Sequence, residues 1–318
     1  MAYTLAIDLG GTNTKFALVN RELEICHERS YPTFAELGAE QACQRWLSQI
    51  KDWLVRHPID LIGIGSPGPL DSDRGMILST PNLKDWAHFS FTEFFEKALK
   101  VPTFIENDAN CAALGEWSQE KHIDDHVVLT IGTGVGSGVI SNGQLLRGAN
   151  GWAVEAGHMT IDMRGPLCAC GKRGCLEAIV GGHGLVARYL ERATEKIRDL
   201  SPHEVFNRAK LGESLALTLA HEWAEGLAVG VGNLLNIFNP TRVTLTGGVS
   251  QNFTFVEERF RKKLLTEAFA LNVKYCEIVV SKLQNKAGLL GAAIWAHQNY
   301  ERQKMSPVQQ GSDRAHSY

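Results

Sequence analysis

The chain opens on a short apolar run, Tyr3 to Asp8, breaks at Gly10-Gly11, and resumes as a second apolar run over Phe16–Val19. Two apolar runs around a glycine turn predict strand, tight turn and strand, with a further turn at Asn20–Glu22 and another strand after it. The same order returns over Val128–Leu145. Moving the first segment on by 122 positions aligns the two without a gap: Gly10 falls on Gly132, Thr12 on Gly134, Leu18 on Ile140, Asn20 on Asn142 and Leu23 on Leu145. Self-similarity of this kind marks a duplicated unit. A period this long is domain-sized, so the pattern predicts two related α/β domains.

Between the copies, Ala42, Leu47, Ile50 and Leu54 recur on a helical period and predict a helix over 35–57, stopped by Pro58. Leu61–Ser66 predicts a buried strand that ends in the loop Pro67-Gly68-Pro69, and Ser79–Leu83 predicts another loop. Ser90 with Glu93 forms a capping-box pattern ahead of a helix to Leu99. Thr103–Ile105 predicts a strand that gives way, at Glu106-Asn107-Asp108, to a helix ending near Glu120. Later helices are predicted over 183–199 and 213–236, strands over 243–246 and 277–281, and a small-residue helix over 287–297 that returns to the first domain. Gly226, Gly230 and Gly232 weaken the helix over 213–236 by about 1 kcal/mol each relative to Ala. They predict close approach of a neighbouring backbone or a ligand. The division that follows is a smaller domain of residues 1–118 plus about 286–300, and a larger one of 119–285. The polar tail, 301–318, is expected to be disordered.

A length of 318 residues gives room for two domains, and 44% hydrophobic with 21% charged residues is a soluble globular composition. The net charge of −3 offers no bulk attraction for nucleic acid. No apolar run approaches the ~20 residues of a membrane span. The first residues reach Asp8 without the basic start of a signal peptide. An odd number of cysteines, three of them clustered, fits a reducing cytoplasmic setting.

The cluster brings in chemistry. His158, Cys168, Cys170 and Cys175 fall within eighteen positions, and Gly171 and Gly174 allow the backbone to turn between the thiols. Zinc takes four tetrahedral ligands from Cys and His, and a closed set of this kind is structural. Cys26, Cys43, Cys111 and Cys276 are scattered and read as ordinary thiols. Glu155 and Glu177 stand at the two edges of the cluster, where fixing the ligands fixes two carboxylates suited to the vicinal hydroxyls of a polyol; the alternative is two solvated loop carboxylates. Three glycine turns follow predicted strands: Gly10-Gly11-Thr12, Gly132-Thr133-Gly134 and Gly247-Gly248. Such turns let backbone N–H groups cradle phosphate oxygens, and three of them point to a nucleotide cleft between the domains. Asp8 is placed to hold Mg²⁺ through water. Lys15 reads either as a phosphate contact or as a surface lysine. Asp108 reads either as a general base for a substrate hydroxyl or as a helix cap.

Taken in order, Asp8-Leu-Gly-Gly-Thr-Asn-Thr-Lys15, Glu106-Asn-Asp-Ala-Asn110, Ile131-Gly-Thr-Gly-Val-Gly136, Glu155-Ala-Gly-His158, Cys168-Ala-Cys-Gly-Lys-Arg-Gly-Cys-Leu-Glu177 and Leu245-Thr-Gly-Gly-Val249 resemble the ROK family (repressors, open reading frames, kinases), and within it the bacterial ATP-dependent glucokinases. The resemblance implies a duplicated actin/hexokinase-like (ribonuclease H-like) fold, with two domains around a cleft that closes on sugar. It implies ATP with Mg²⁺ as phosphoryl donor, a structural Zn²⁺, a hexose substrate phosphorylated at its 6-hydroxyl, and a homodimer. Asp108 would be the general base, with Asn107 and Asp108 on the 4- and 6-hydroxyls and Glu155, His158 and Glu177 nearer the anomeric end. Asn82 and the loop Ser66-Pro67-Gly68 would line the same pocket. His158 would serve metal and sugar through its two ring nitrogens. Gly10, Gly11, Thr12, Thr133, Gly134 and Gly248 would hold the nucleotide. An N-acetylglucosamine or N-acetylmannosamine kinase needs the same site with a roomier 2-position, and a polyphosphate donor would need a basic track. Repressors of the family carry a helix-turn-helix ahead of the first phosphate turn, and no room for one is expected ahead of Asp8; a non-catalytic sugar-binding regulator is the reading from another class. The chain departs from the family after Glu177, where Ala-Ile-Val-Gly-Gly-His replaces an aromatic and a Ser-Gly. That departure bears on the anomeric-side contacts.

Overall fold

Gly10 folds the first two strands into a hairpin, because a side chain there would meet the Asn13 carbonyl oxygen at 2.5 Å. Strand β1 (Tyr3–Leu9) pairs antiparallel with β2 (Asn13–Val19), setting Asp8 opposite Lys15 and Leu9 opposite Thr14. Strand β3 (Ile25–Pro32) adds to β2. The single helix predicted over 35–57 is instead a short 3₁₀ turn, helix α1 (Ala39–Gln49) and helix α2 (Lys51–Arg56). Gly38, at φ 77°, breaks the first junction, and Ile50 breaks the second. Strand β4 (Ile59–Ser66) runs parallel to β1. A small hairpin of β5 (Leu70–Asp71) and β6 (Met76–Ile77) follows, then helix α3 (Phe91–Leu99), capped as predicted by Ser90, and strand β7 (Thr103–Asn107). The sheet order is β3-β2-β1-β4-β7. Trp46, Trp86, Phe91 and Phe95 are buried in one core with Leu5, Ile7, Ile62 and Ile64 of the strands.

The computed structural model describes residues 2–79, 83–119, 122–194 and 197–305. It divides into two compact units: the chain to Glu106 with its return from Ala292, and Asn107–Gly291. Helix α4 (Asp108–Ser118) therefore belongs with the second unit, whereas the sequence reading drew the boundary at 118. The reason is close packing on β9 (Val135–Ser141), a glycine-bearing strand that pairs with β8 (His126–Ile131). A side chain at Gly136 or Gly138 would meet Ala109 at 2.9 Å or Ala113 at 2.6 Å.

The second sheet has the order β10-β9-β8-β11-β12, with β10 at Gln144–Leu145, β11 at Arg242–Thr246 and β12 at Glu277–Val280. It repeats the first sheet's plan of an antiparallel hairpin continued by a parallel strand. Two mixed α/β sheets built this way make the duplicated actin-like fold expected from the sequence. The copies differ in register: Leu9 faces Thr14, but Ile131 faces Val135, so the second hairpin turn is one residue shorter.

Helices α5 (Leu176–Val180), α6 (Gly182–Arg192), α7 (Pro202–Lys210), α8 (Ser214–Phe238), α9 (Phe253–Glu267) and α10 (Ala270–Tyr275) complete the second unit. Helix α6 stops at Arg192, short of the predicted 199, where Ala193 turns extended. The glycines of α8 receive side chains: Ile179 lies over Gly226, Leu176 over Gly230 and Glu267 over Gly232. Helix α11 (Ala287–Met305) crosses back as expected, its Ala292 carbonyl lying against Gly63 of β4. It continues helical through 301–305, where a disordered tail was predicted; residues 306–318 lie outside the described residues. No described helix is long and apolar enough to cross a membrane.

Candidate active site

The metal cluster forms as its spacing predicts. His158 ends a 3₁₀ turn, and the loop carrying the thiols reverses at Gly171 (φ 87°) and Gly174 (φ 65°). The ligand atoms of His158, Cys168, Cys170 and Cys175 all lie within 4.8 Å of one another. Cys170 Sγ is 3.7 Å from Cys175 Sγ, and Cys168 Sγ is 3.7 Å from His158 Nδ1. Tetrahedral zinc with ~2.3 Å bonds to sulfur sets neighbouring ligands roughly 3.8 Å apart, so donor set and spacing both fit zinc. Burial pushes the metal-free Cys168 thiol up to about 12 and raises Cys175, whereas the Lys172 backbone N–H lowers Cys170. Because Nδ1 faces the thiols, Nε2 is on the far side of the ring.

This cluster is tied to the second glycine turn. Gly157 packs so closely on β9 that a side chain there would overlap the Val135 carbonyl oxygen. Glu177 spans the gap: Oε2 accepts the Val135 N–H at 3.0 Å, while Oε1 lies 3.6 Å from Cys168 Sγ and 4.0 Å from His158 Nδ1. Its carboxylate also fills the space beside Gly134, where a side chain would come within 2.5 Å. Glu155 is exposed at the start of the His158 turn. The residue before it, Val154, holds φ 67°, a strained conformation for a β-branched residue. Ser137 holds the segment by donating to the Val154 carbonyl and accepting from Ala156 N–H at 3.0 Å.

Three segments gather about Gly132-Thr133-Gly134. Gly182 and His183 N–H groups donate to the Gly132 and Thr133 carbonyls at 2.9 and 3.0 Å. Gly247, at φ 94°, lies against the end of β8, where a side chain would meet Ile131 O at 2.5 Å. Pro202, at the start of α7, packs against Gly182. Thr133 and Gly248 are both exposed.

Asn107, the residue before α4, caps it: Oδ1 accepts the N–H groups of Ala109 at 2.9 Å and Asn110 at 3.2 Å. Asp108 is the first helical residue, and its Oδ1 accepts Ala109 N–H at 2.8 Å. The capping alternative for Asp108 thus passes to its neighbour. A carboxylate in a first helical turn is favoured in its charged form by the helix dipole.

The first unit carries Asp8, Gly10, Gly11, Thr12 and Lys15 on one hairpin. Lys15 Nζ is 3.5 Å from Asp8 Oδ2, so Lys15 is neither isolated nor fully exposed. Burial raises the Asp8 carboxyl, and Lys15 pulls it back down. Thr33 braces the turn, donating to Gly10 O at 2.6 Å and taking the Thr12 carbonyl with its N–H at 2.8 Å. Gly68, at φ 85°, follows β4, whose Gly65 pairs with Asp8. Asn82 lies outside the described residues. Thr33 and Ser137 are supports the sequence reading did not find.

A profile of the ROK family matches residues 4–299. The chain belongs to the ROK family. It is 34% identical over 303 residues to the glucokinase of Thermotoga maritima, covering 91% of this chain and 95% of that relative. It is 33% identical over 296 residues to an N-acetylmannosamine kinase of Escherichia coli, covering 92% and 98%. A ROK family glucokinase from Streptomyces griseus, solved in complex with glucose and AMPPNP, superposes with a TM-score of 0.78 at 29% identity, covering 93% of this chain and 100% of that one. This ROK chain thus shares both its sequence pattern and its fold with sugar kinases along nearly its whole length.

Proposed function

We propose that this ROK protein is an ATP-dependent hexose kinase that phosphorylates the 6-hydroxyl of glucose. The observation that carries the reading is the start of α4, where Asn107 supplies the cap and Asp108 remains a carboxylate in the first turn. In this reading Asp108 accepts the proton of the sugar 6-hydroxyl as that oxygen attacks the γ-phosphorus. The bond to the β–γ bridging oxygen breaks, and ADP leaves. The glycine turns at 10–12, 132–134 and 247–248 present backbone to the phosphates, and Asp8 holds the water shell of the Mg²⁺ that ATP brings. His158, Cys168, Cys170 and Cys175 would hold zinc, which when bound supplies a rigid tetrahedral knot rather than an activated water. Glu155, and His158 through Nε2, then face the sugar, with Glu177 anchoring that wall to the glycine turn.

Similarity to the Thermotoga maritima and Streptomyces griseus glucokinases supports glucose. Nearly equal identity to the Escherichia coli N-acetylmannosamine kinase supports a second reading, an N-acetylhexosamine kinase using the same residues. ADP release from ATP-Mg²⁺ should be followed with glucose, mannose, N-acetylglucosamine and N-acetylmannosamine. Glucose is expected to support the highest kcat/KM. Preference for an acetylated sugar would move the substrate and leave the mechanism. No turnover on any of them by zinc-loaded protein would overturn the kinase reading in favour of a sugar-binding regulator.

A further inference from the structure

His203 stands beside the third glycine turn. A side chain built on Gly248 would come 3.6 Å from His203 Nε2, so the bare glycine and the imidazole edge border the same small space. The residue before it, Pro202, is packed on Gly182, which in turn lies against the Gly132 carbonyl. The first turn of α7 is therefore fixed against both glycine turns of the second unit. The polar partners behind the ring settle its tautomer. Lys210 Nζ donates to Asn252 Oδ1 at 3.1 Å, which orients that buried amide. Asn252 Nδ2 then faces Val249 O at 3.3 Å and His203 Nδ1 at 3.3 Å. A lysine ammonium has only donors, so the amide oxygen must be on its side and the amide N–H on the side of the ring. Nδ1 accepts that N–H, and the ring proton resides on Nε2. Among the described residues Nε2 has no hydrogen-bond partner, and it is the nitrogen next to Gly248.

We propose that His203 Nε2–H donates a hydrogen bond to an oxygen of the bound nucleotide, with Asn252 and Lys210 as positioning residues that hold the ring in the donating tautomer. The inference rests on the kinase reading and adds a nucleotide contact to it.

Calorimetric titration with ADP tests it on the zinc-loaded protein and on His203→Ala, His203→Asn and His203→Gln. The glutamine amide can place a donor near the Nε2 position; the asparagine amide reaches only the Nδ1 position. ADP affinity is expected to fall about tenfold in His203→Ala and His203→Asn and to stay within about threefold of the parent in His203→Gln, the scale of one lost hydrogen bond. Sugar KM, zinc content and melting temperature should not move. Asn252→Leu is expected to weaken ADP binding in the parent and to have no further effect in His203→Ala, because it acts through the ring. Unchanged ADP affinity in His203→Ala and His203→Asn would overturn the proposal while leaving the kinase reading intact. A parent protein that binds no ADP would overturn both. Titration with adenosine alongside ADP separates a ribose oxygen, whose loss shows with both ligands, from a phosphate oxygen, whose loss shows with ADP alone.

Discussion

Gly157 is a residue at which one added methyl group should disturb the site directly. Its backbone lies on the Val135 carbonyl, so Gly157→Ala must lift the turn that carries Glu155 and His158 away from β9. Overpacking of this kind typically costs about 1–3 kcal/mol. We expect a lower melting temperature together with weaker sugar and zinc binding; a variant with unchanged melting and full zinc content would show that the contact is not needed. The metal-ligand cluster was legible in the sequence because ligands drawn from one short segment must keep a short spacing. Asp108 was legible as a carboxylate at a strand-to-helix junction, but that the cap position falls to Asn107 was not, since Asn107 and Asp108 are equally good caps by type. Thr33 and Ser137 were invisible for a different reason. Each works by bonding a backbone group distant in the chain, and a hydroxyl residue in a strand or loop carries no mark of that partner.

Elements explain why the site holds its geometry. Helix α5 carries Glu177, and its Leu176 and Ile179 fit over Gly230 and Gly226 of α8. Glu177 links the metal loop to the Val135 N–H, so loosening the metal knot should be felt at the glycine turn as well as at the proposed sugar wall. Cys170→Ser, or removal of zinc by a chelator, is expected to weaken ADP and glucose binding together, each measured by titration. Loss of sugar binding alone would break the link drawn here through Glu177. Zinc binding must also expel the protons held on Cys168 and Cys175, whose thiol pKa values burial raises. Zinc affinity is therefore expected to fall as pH is lowered.

A second pair fastens β3 to α2. Arg29 grips Asp52 through bonds of 2.6 and 2.7 Å, and its side-chain hydrogen bond holds that carboxyl down at about 2. A depressed carboxyl stabilises the fold above its ordinary value, near 3.8, and the gain is lost as pH falls toward 2. Asp52→Asn should flatten the acid limb of stability over that window, by little, because both groups are about a third exposed. Helices α7 and α9 show what element-level reading left out. Helix α7 has the same Ser-x-x-Glu start as α3, with Ser201 accepting Glu204 N–H at 3.1 Å, but its polar surroundings mask the apolar period. Helix α9 buries Phe253, Val256, Phe260 and Leu264 on one face, while exposed Phe255 and Leu265 blur the stripe.

On the scale of the whole molecule, the duplication was the most legible feature, because two strand–glycine–strand segments in one order force two sheets of one plan. The one-residue difference in hairpin register was hidden by a gapless alignment, since strand pairing is set by turn geometry and not by sequence spacing. The division between units also moved, because Gly136 and Gly138 draw α4 onto the second sheet. The central claim concerns Asp108, and the most direct measurement is glucose-dependent ADP release by Asp108→Asn beside the parent, with glucose and ADP affinities measured on both. The account expects kcat to fall by about 10²–10⁴, with ligand affinities within a few-fold and zinc content unchanged. Turnover close to that of the parent would contradict the assignment of Asp108 as the base.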